Sequence, residues 1–471
     1  MSLKKNFIYS SILTVSTYLF PLIVYPYVSR TLGLSNIGIV NFVDNLVAYF
    51  VCFSMMGIST IGVREIAGTK GNQVQLSKTF ISLLVLSGIT TLIAIIALWI
   101  AMYTIPTLTP YRDLLYVGLT KLVFNFFLIE WFYTGMENFK YITNRALLVK
   151  CLYVASVFLF VKEASDYKLY FILTTLVVVV NALINIVYSR RFVNYSTYGI
   201  NIRPLCKPFI IMGVYILLTT VYTRLNTVWL GFVTDTDQVG FFTTATKLYT
   251  IIMAVLLSFT NILFPRVSNL LAEGKHEEFW QKINTAFDAV FLFSFPTIIY
   301  MIVTGPTLLH FIVGDGFEGA YLPFRIITPL ILIVGVEQIL VIQILMAMHQ
   351  DNIVLRNSFI GAIVVFFLNI IITPKLGAIG SSIVWVAAES TILILSAVSV
   401  WRKNRFRLPW HRFAFYVGTY APLLAIALLI HHFMDNSIAM LTTLAATVIV
   451  YAILAECFFT KNKIVFNILK R

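Results

Sequence analysis

The chain is a succession of apolar runs, each about twenty residues long, separated by short polar stretches. A run of that length matches one helical crossing of a bilayer. In hydrocarbon, only a helix or a closed barrel bonds all its backbone groups internally. The pattern predicts about fourteen transmembrane helices, near residues 7–29, 37–62, 79–103, 114–135, 143–161, 169–189, 208–232, 239–263, 283–304, 323–346, 353–373, 379–400, 412–431 and 438–459. The first run follows a short basic head. It is too long for a signal peptide and has no clear small-residue cleavage site, so it reads as a retained span. The expected fold class is an all-α polytopic membrane protein.

Composition agrees. Of 471 residues, 59% are hydrophobic and 11% charged, against about 25% charged in a soluble domain. The four cysteines, Cys52, Cys151, Cys206 and Cys457, have no metal or disulfide spacing and read as apolar filler. A net charge of +14 does not imply nucleic acid here. Most of the lysines and arginines fall on alternate loops beginning with the N-terminal one, so the positive-inside rule puts both termini in the cytoplasm. The most basic inner loop is WRKNRFRLPWHR, residues 401–412. Topology accounts for it; a lipid-headgroup or partner site is the alternative. The largest connections, 190–207 and 264–282, leave no room for an extramembrane catalytic domain.

An internal repeat is visible at an offset of 202: Gly38 matches Gly240, Leu46 matches Leu248 and Arg64 matches Arg266. It lays the first two spans over the seventh and eighth in parallel orientation. Two six-span lobes follow, 1–205 and 206–400, with 401–471 holding the basic loop and two added spans. Two such lobes facing each other form the cleft of an alternating-access carrier.

Charges inside the spans are the candidate chemistry, because a charge in hydrocarbon normally faces a bundle interior or water. Arg224 lies about eight residues from the outer end of its span, ~12 Å deep at 1.5 Å per residue. Lys247, Asp44 and Lys121 lie at a similar depth, which suggests one site. Polar residues share their helix faces: Thr220, Thr223 and Thr227 with Arg224; Thr243 and Thr250 with Lys247; Asn41 and Asn45 with Asp44. Thr14 and Thr17 stripe the first span. Hydroxyls and amides suit a glycan, and cations suit phosphate. The competing reading makes Asp44 a structural partner of Lys247 or Arg224. Among the acids, Glu337 and Glu389 sit near mid-span and are candidates for H⁺ or Na⁺ coupling, or for a bond to a neighbouring helix. Asp288 and Glu456 are expected to snorkel to the inner surface. No nucleophile elbow, P-loop, dinucleotide fingerprint or zinc motif is present, so neither a metal nor an organic cofactor is expected.

FPLIVYPYVSRTLGLSNIGIVNF with GISTIGVREIA resembles the opening of bacterial polysaccharide (O-antigen type) flippases. EWFYTGMENFKYITNRALLVK, residues 130–150, is similar to that family's connection between spans four and five. LNIIITPKLGAIGSSIVWVAAES, residues 368–390, is similar to its hairpin between spans eleven and twelve. The likeness runs from about residue 7 to 400 and implies the multidrug/oligosaccharidyl-lipid/polysaccharide exporter superfamily. Its members have two six-helix lobes around a cavity lined by helices one, two, seven and eight. Members of the flippase family within it move polyprenyl-diphosphate-linked oligosaccharide to the outer leaflet of the cytoplasmic membrane for surface polysaccharide or capsule synthesis.

The resemblance also implies no enzymatic activity. Its partners would be the lipid-linked substrate, membrane lipids, and a polymerase and glycosyltransferases acting on the same glycan. Arg64, in REIA, would be a structural or gating position, with Arg266 as its repeat mate. Two rivals remain. A multidrug exporter of the same fold would need an acidic pocket for its cationic drugs. A membrane polysaccharide polymerase or ligase would need a reactive constellation on a sizeable outer loop.

Overall fold

In the computed structural model, residues 3–69, 71–195, 199–434 and 436–458 are described, together with all side chains there except some near the chain ends, around 215–223 and around 259–262. Every regular element among them is helical. The chain divides into two compact units, Met1–Gly240 and Phe241–Arg471.

The first unit holds α1 (Leu3–Leu32), α2 (Leu34–Met55), α3 (Ile58–Gly68), α4 (Gln73–Thr104), α5 (Arg112–Phe126), α6 (Glu130–Gly135), α7 (Phe139–Phe160), α8 (Tyr167–Ser189) and α9 (Arg203–Val233), and the start of α10 (Thr236–Ala272). The second holds the rest of α10, α11 (His276–Val313), α12 (Tyr321–Ile327), α13 (Leu330–Gln338), α14 (Asp351–Asn404), α15 (Trp410–Phe433) and α16 (Ser437–Phe458). A π-helical stretch, Ile339–Met346, continues α13.

Twelve described segments are long and apolar enough to cross a membrane. One of them, α14, has 54 residues, ~80 Å at 1.5 Å per residue and far beyond a ~30 Å hydrocarbon core. It turns at Gly377 (φ 55°, ψ −130°), a conformation only glycine adopts cheaply. A Cβ on Gly380 would lie 3.0 Å from Ile372 O, so the chain folds back closely on itself. With α14 counted as two crossings and the 31-residue α9 added, the fourteen crossings expected are present.

Two spans that read as continuous are broken. The run 37–62 splits into α2 and α3 at Met56 (φ 34°) and Gly57. A Cβ on Gly57 would lie 2.8 Å from Phe209 O, so α9 crosses too closely for a side chain there. The run 114–135 splits into α5 and α6 at Ile129 (φ 38°). Freed backbone groups at membrane depth need protein partners. Asn185 Nδ2 donates to Leu128 O, and Tyr133 OH donates to Asn185 O at 2.5 Å.

Each unit has its own core. In the first, Phe80, Trp131, Phe132 and Tyr133 are buried among α3, α4 and α6. In the second, Phe279, Phe287 and Phe291 of α11 pack with Leu330, Ile331 and Ile339 and with Tyr416 and Tyr420 of α15. The exposed side chains of α4, α8 and α15 are largely Ile, Leu, Val and aromatic, as lipid-facing surfaces require.

Candidate functional site

The first unit gathers three of the four deep charges. Asp44 of α2 is ion-paired with Lys121 of α5. One residue on, Asn45 Oδ1 accepts from Arg224 Nη1 of α9 at 3.0 Å, while Asn45 Nδ2 bonds Asn41 O one turn back at 2.9 Å. Helical periodicity puts Asn41, Asp44 and Asn45 on one face, and close packing of α2 with α5 and α9 brings the two cations to it. Lys121 also stands over the Phe171 ring at 5.9 Å. Tyr153 and Tyr170 share a hydrogen bond beside Asp44. Asp44 keeps 41% of its side chain exposed and Lys121 21%, so the pair lines an accessible wall.

A further cation was not singled out from the sequence. Lys150 of α7 donates from Nζ to Ser16 Oγ at 3.0 Å and Thr17 Oγ1 at 3.3 Å on α1. It lies over the Phe20 ring and within reach of the Glu130 charge. Its signal was its place well inside the run 143–161. Thr14 and Thr17 are exposed, and each bonds a carbonyl of its own helix, Ser10 O and Leu13 O.

Glu130 and Arg145 belong to a structural network. Arg145 is buried and bonds both Glu130 and Asn185, and Tyr141 OH donates to Asn185 Oδ1 at 3.0 Å. Together with the Asn185 bond to Leu128 O, these contacts hold the break between α5 and α6.

Other candidates are distributed as follows. Thr227 is buried within α9, and the side chains of Thr220 and Thr223 lie outside the described residues. Lys247 is half-buried in α10 of the second unit, with Thr243 buried and Thr250 exposed, its Oγ1 bonded to Thr246 O at 2.8 Å. Arg64 is exposed and paired with Glu65 at 2.9 Å; Arg266 is exposed.

In the second unit, Glu337 of α13 and Glu389 of α14 are 8% and 7% exposed and lie close enough for their charges to interact. Trp385 Nε1 donates to Glu389 Oε1 at 2.9 Å, and Tyr249 stands beside both carboxyls. Glu337 Oε2 has no hydrogen-bond partner among the described residues. The snorkelling expected of Asp288 and Glu456 is overturned. Asp288 is buried and ion-paired with Arg412, and Glu456 is fully buried near Tyr416 and Tyr420. α15 and α16 pack across α11 and cover both acids.

Comparison with known proteins agrees with this architecture. The family model described as "Polysaccharide biosynthesis protein" matches residues 3–271. A putative O-antigen transporter of Escherichia coli (strain K12) is 22% identical over 416 residues, covering 86% of this chain and 98% of that protein. The lipid II flippase MurJ in an inward closed conformation superposes with a TM-score of 0.78 at 16% identity, covering 99% of this chain and 100% of that one. An inward-facing multidrug resistance MATE transporter gives 0.61 at 15% identity over 82% of this chain and 94% of its own. At these identities the structural likenesses show the fold.

Proposed function

The chain belongs to the polysaccharide biosynthesis protein family, and from that membership we propose that it is a flippase for lipid-linked oligosaccharide. It carries a polyprenyl-diphosphate-linked repeat unit from the cytoplasmic to the outer leaflet by alternating access of two six-helix lobes, 1–205 and 206–400. Residues 401–471 form the appended part, and both termini are cytoplasmic. The named relatives and fold neighbours are transporters and flippases, and the chain is a transporter rather than an enzyme.

One observation carries the reading. Arg224 is held by the Asn45 amide and Lys150 by the hydroxyls of Ser16 and Thr17. Neutral groups hold both cations, and Glu130, within reach of Lys150, is itself paired with Arg145, which favours an anionic ligand such as a diphosphate. Lys121, paired with Asp44, supports the same wall, and Lys247 of α10 is the candidate cation of the second unit. The hydroxyls of Thr14, Thr17, Thr220, Thr223, Thr227, Thr243 and Thr250 and the amides of Asn41 and Asn45 are the groups for sugar. A multidrug carrier for cations is disfavoured by the same charges, and a polymerase or ligase by the absence of a reactive constellation on the short outer loops.

An inside-negative potential favours outward movement of an anion by ~2.3 kcal/mol per charge per 100 mV. Return of the empty carrier draws on H⁺ or Na⁺ at the Glu337–Glu389 pair. Arg64 and Arg266 end matched spans and serve as gating or structural positions. The test is export of lipid-linked glycan in cells carrying Arg224→Ala, Lys150→Ala or Lys247→Ala, with membrane levels checked by blot. Accumulation of lipid-linked glycan on the inner face with the protein present is the expected outcome. Normal export in all three variants would remove the cationic site from the mechanism.

A further inference from the structure

The connection between α14 and α15 carries a feature that transport of a glycan does not use. α14 ends at Arg405 in left-handed conformation (φ 54°). Phe406 then stacks on Trp280 of α11, with ring centroids 4.7 Å apart and planes 9° apart, and on Phe287 at 6.0 Å. Arg412, at the start of α15, is locked to Asp288. The loop is thus pinned at both ends to one helix.

Beneath it lies a cavity of about 230 Å³ whose lining is apolar, including Phe291, Ile333, Val336, Leu393, Leu408 and Trp410. A second cavity of about 290 Å³ shares Leu408 and Trp410 and extends to Val398, Trp401 and Arg407. Together they make a groove that is hydrocarbon-lined at one end and has a guanidinium at the other. An apolar cavity takes hydrocarbon rather than water. Trp401 and Trp410, 49% and 65% exposed, mark headgroup level, where tryptophan concentrates.

Charge decides what the occupant carries. Arg402, Lys403, Arg405 and Arg407 are exposed and form no ion pair among the described residues. The sequence has no acidic residue between Glu389 and Asp435. We propose that this groove binds one anionic glycerophospholipid of the adjacent leaflet, with an acyl chain between α11, α13 and α14 and the headgroup phosphate on Arg407. The pinned loop presents the guanidinium already positioned, so little ordering is needed on binding. This site is independent of the glycan proposed above.

The full chain, purified in detergent and washed free of endogenous lipid, is titrated with phosphatidylglycerol, phosphatidylethanolamine or undecaprenyl phosphate. Bound lipid is counted by native mass spectrometry. The expected result is a single bound phosphatidylglycerol with at least about tenfold preference over the zwitterionic lipid. Arg407→Ala and Arg407→Glu, at an exposed position, reduce that binding at least about tenfold while leaving the melting temperature of the lipid-free protein unchanged. Leu393→Trp, which fills the cavity, abolishes it. Equal retention of the two phospholipids overturns the proposal, as does unaltered binding in the Arg407 and Leu393 variants. Preferential retention of undecaprenyl phosphate also overturns it and assigns the groove to an isoprenoid tail.

Discussion

Gly38 of α2 and Gly240 of α10 pack against each other's helix. A Cβ on Gly38 would lie 1.8 Å from Thr236 O and 3.1 Å from Gly240 N; a Cβ on Gly240 would lie 2.6 Å from Leu34 Cδ1 and 2.8 Å from Leu34 O. Leu34 and Thr236 are separated by the same number of residues as Gly38 and Gly240, so the contact is reciprocal. Ser35 Oγ and Thr236 Oγ1, 2.8 Å apart, close the same crossing. Gly38→Ala should therefore force the helices apart and cost about 1–3 kcal/mol. Gly418→Ala, where a Cβ meets nothing within 4 Å, should be neutral or slightly stabilising. Thermal melting in detergent compares the two, and equal melting temperatures would refute the packing argument.

The Asp44–Lys121 pair yields a double-mutant cycle. Its partial exposure places it between a surface pair and a buried one. Asp44→Asn and Lys121→Gln should each lower stability by about 1–3 kcal/mol. The double variant should lie nearer to wild type than the sum of the singles. Strictly additive losses on chemical unfolding would mean that the two side chains do not support each other.

Much of this wall was legible in the sequence, because a charge in an apolar run is conspicuous and helical periodicity gives its face. Which residue meets which was not, because partners come from different helices and periodicity does not encode crossings. Lys121 was visible as a deep cation, but its bond to Asp44 was not. Ile129 gave no sign of a helix break: its left-handed backbone is held by Asn185 from α8, far along the chain. Arg145 was overlooked because it lies near the polar start of its run, whereas Lys150 lies well inside that run and was legible there. Asp288 and Glu456 were misread because their burial depends on α15 and α16 packing over α11.

Asn185 should be the most sensitive polar residue of the first unit. It is buried, donates to Leu128 O, and accepts from Arg145 and Tyr141. Asn185→Ala leaves those buried groups without their partner, and the loss should be at least about 2 kcal/mol. Asn185→Leu, similar in size but apolar, should be no better. Recovery of stability in the leucine variant would show that packing, not hydrogen bonding, is what Asn185 supplies.

Two ion pairs of the second unit should behave oppositely. Removing Arg412 leaves Asp288, whose side chain is 5% exposed, without its countercharge, and Arg412→Ala should cost about 3–5 kcal/mol. Lys275 and Glu273, 2.7 Å apart and more than half exposed, lie in the connection between α10 and α11, and Glu273→Gln should change stability immeasurably. The Glu273 carboxylate holds Lys275 above its ordinary value of 10.5. A raised lysine contributes fully below that value and loses its contribution only as pH rises through the folded value. Melting curves of wild type and Glu273→Gln should therefore coincide from pH 6 to 9; a divergence inside that window would contradict the assignment.

Glu337 and Glu389 give the last prediction. The two buried carboxyls lie side by side, and Glu337 Oε2, without a hydrogen-bond partner among the described residues, is an acceptor open to a proton or cation. A buried unpaired acceptor is costly, and the coupling ion proposed above would satisfy this one. In vesicles, Glu337→Gln and Glu389→Gln should remove stimulation of glycan translocation by an imposed H⁺ or Na⁺ gradient while leaving glycan binding intact. Trp385→Phe deletes only the Nε1 donor to Glu389 and should weaken the stimulation by about tenfold or less. Comparing the two gradients identifies the ion, since only one should lose its effect in the glutamine variants. If both variants respond like wild type, the pair serves only to join α13 to α14, and return of the empty carrier needs no ion there.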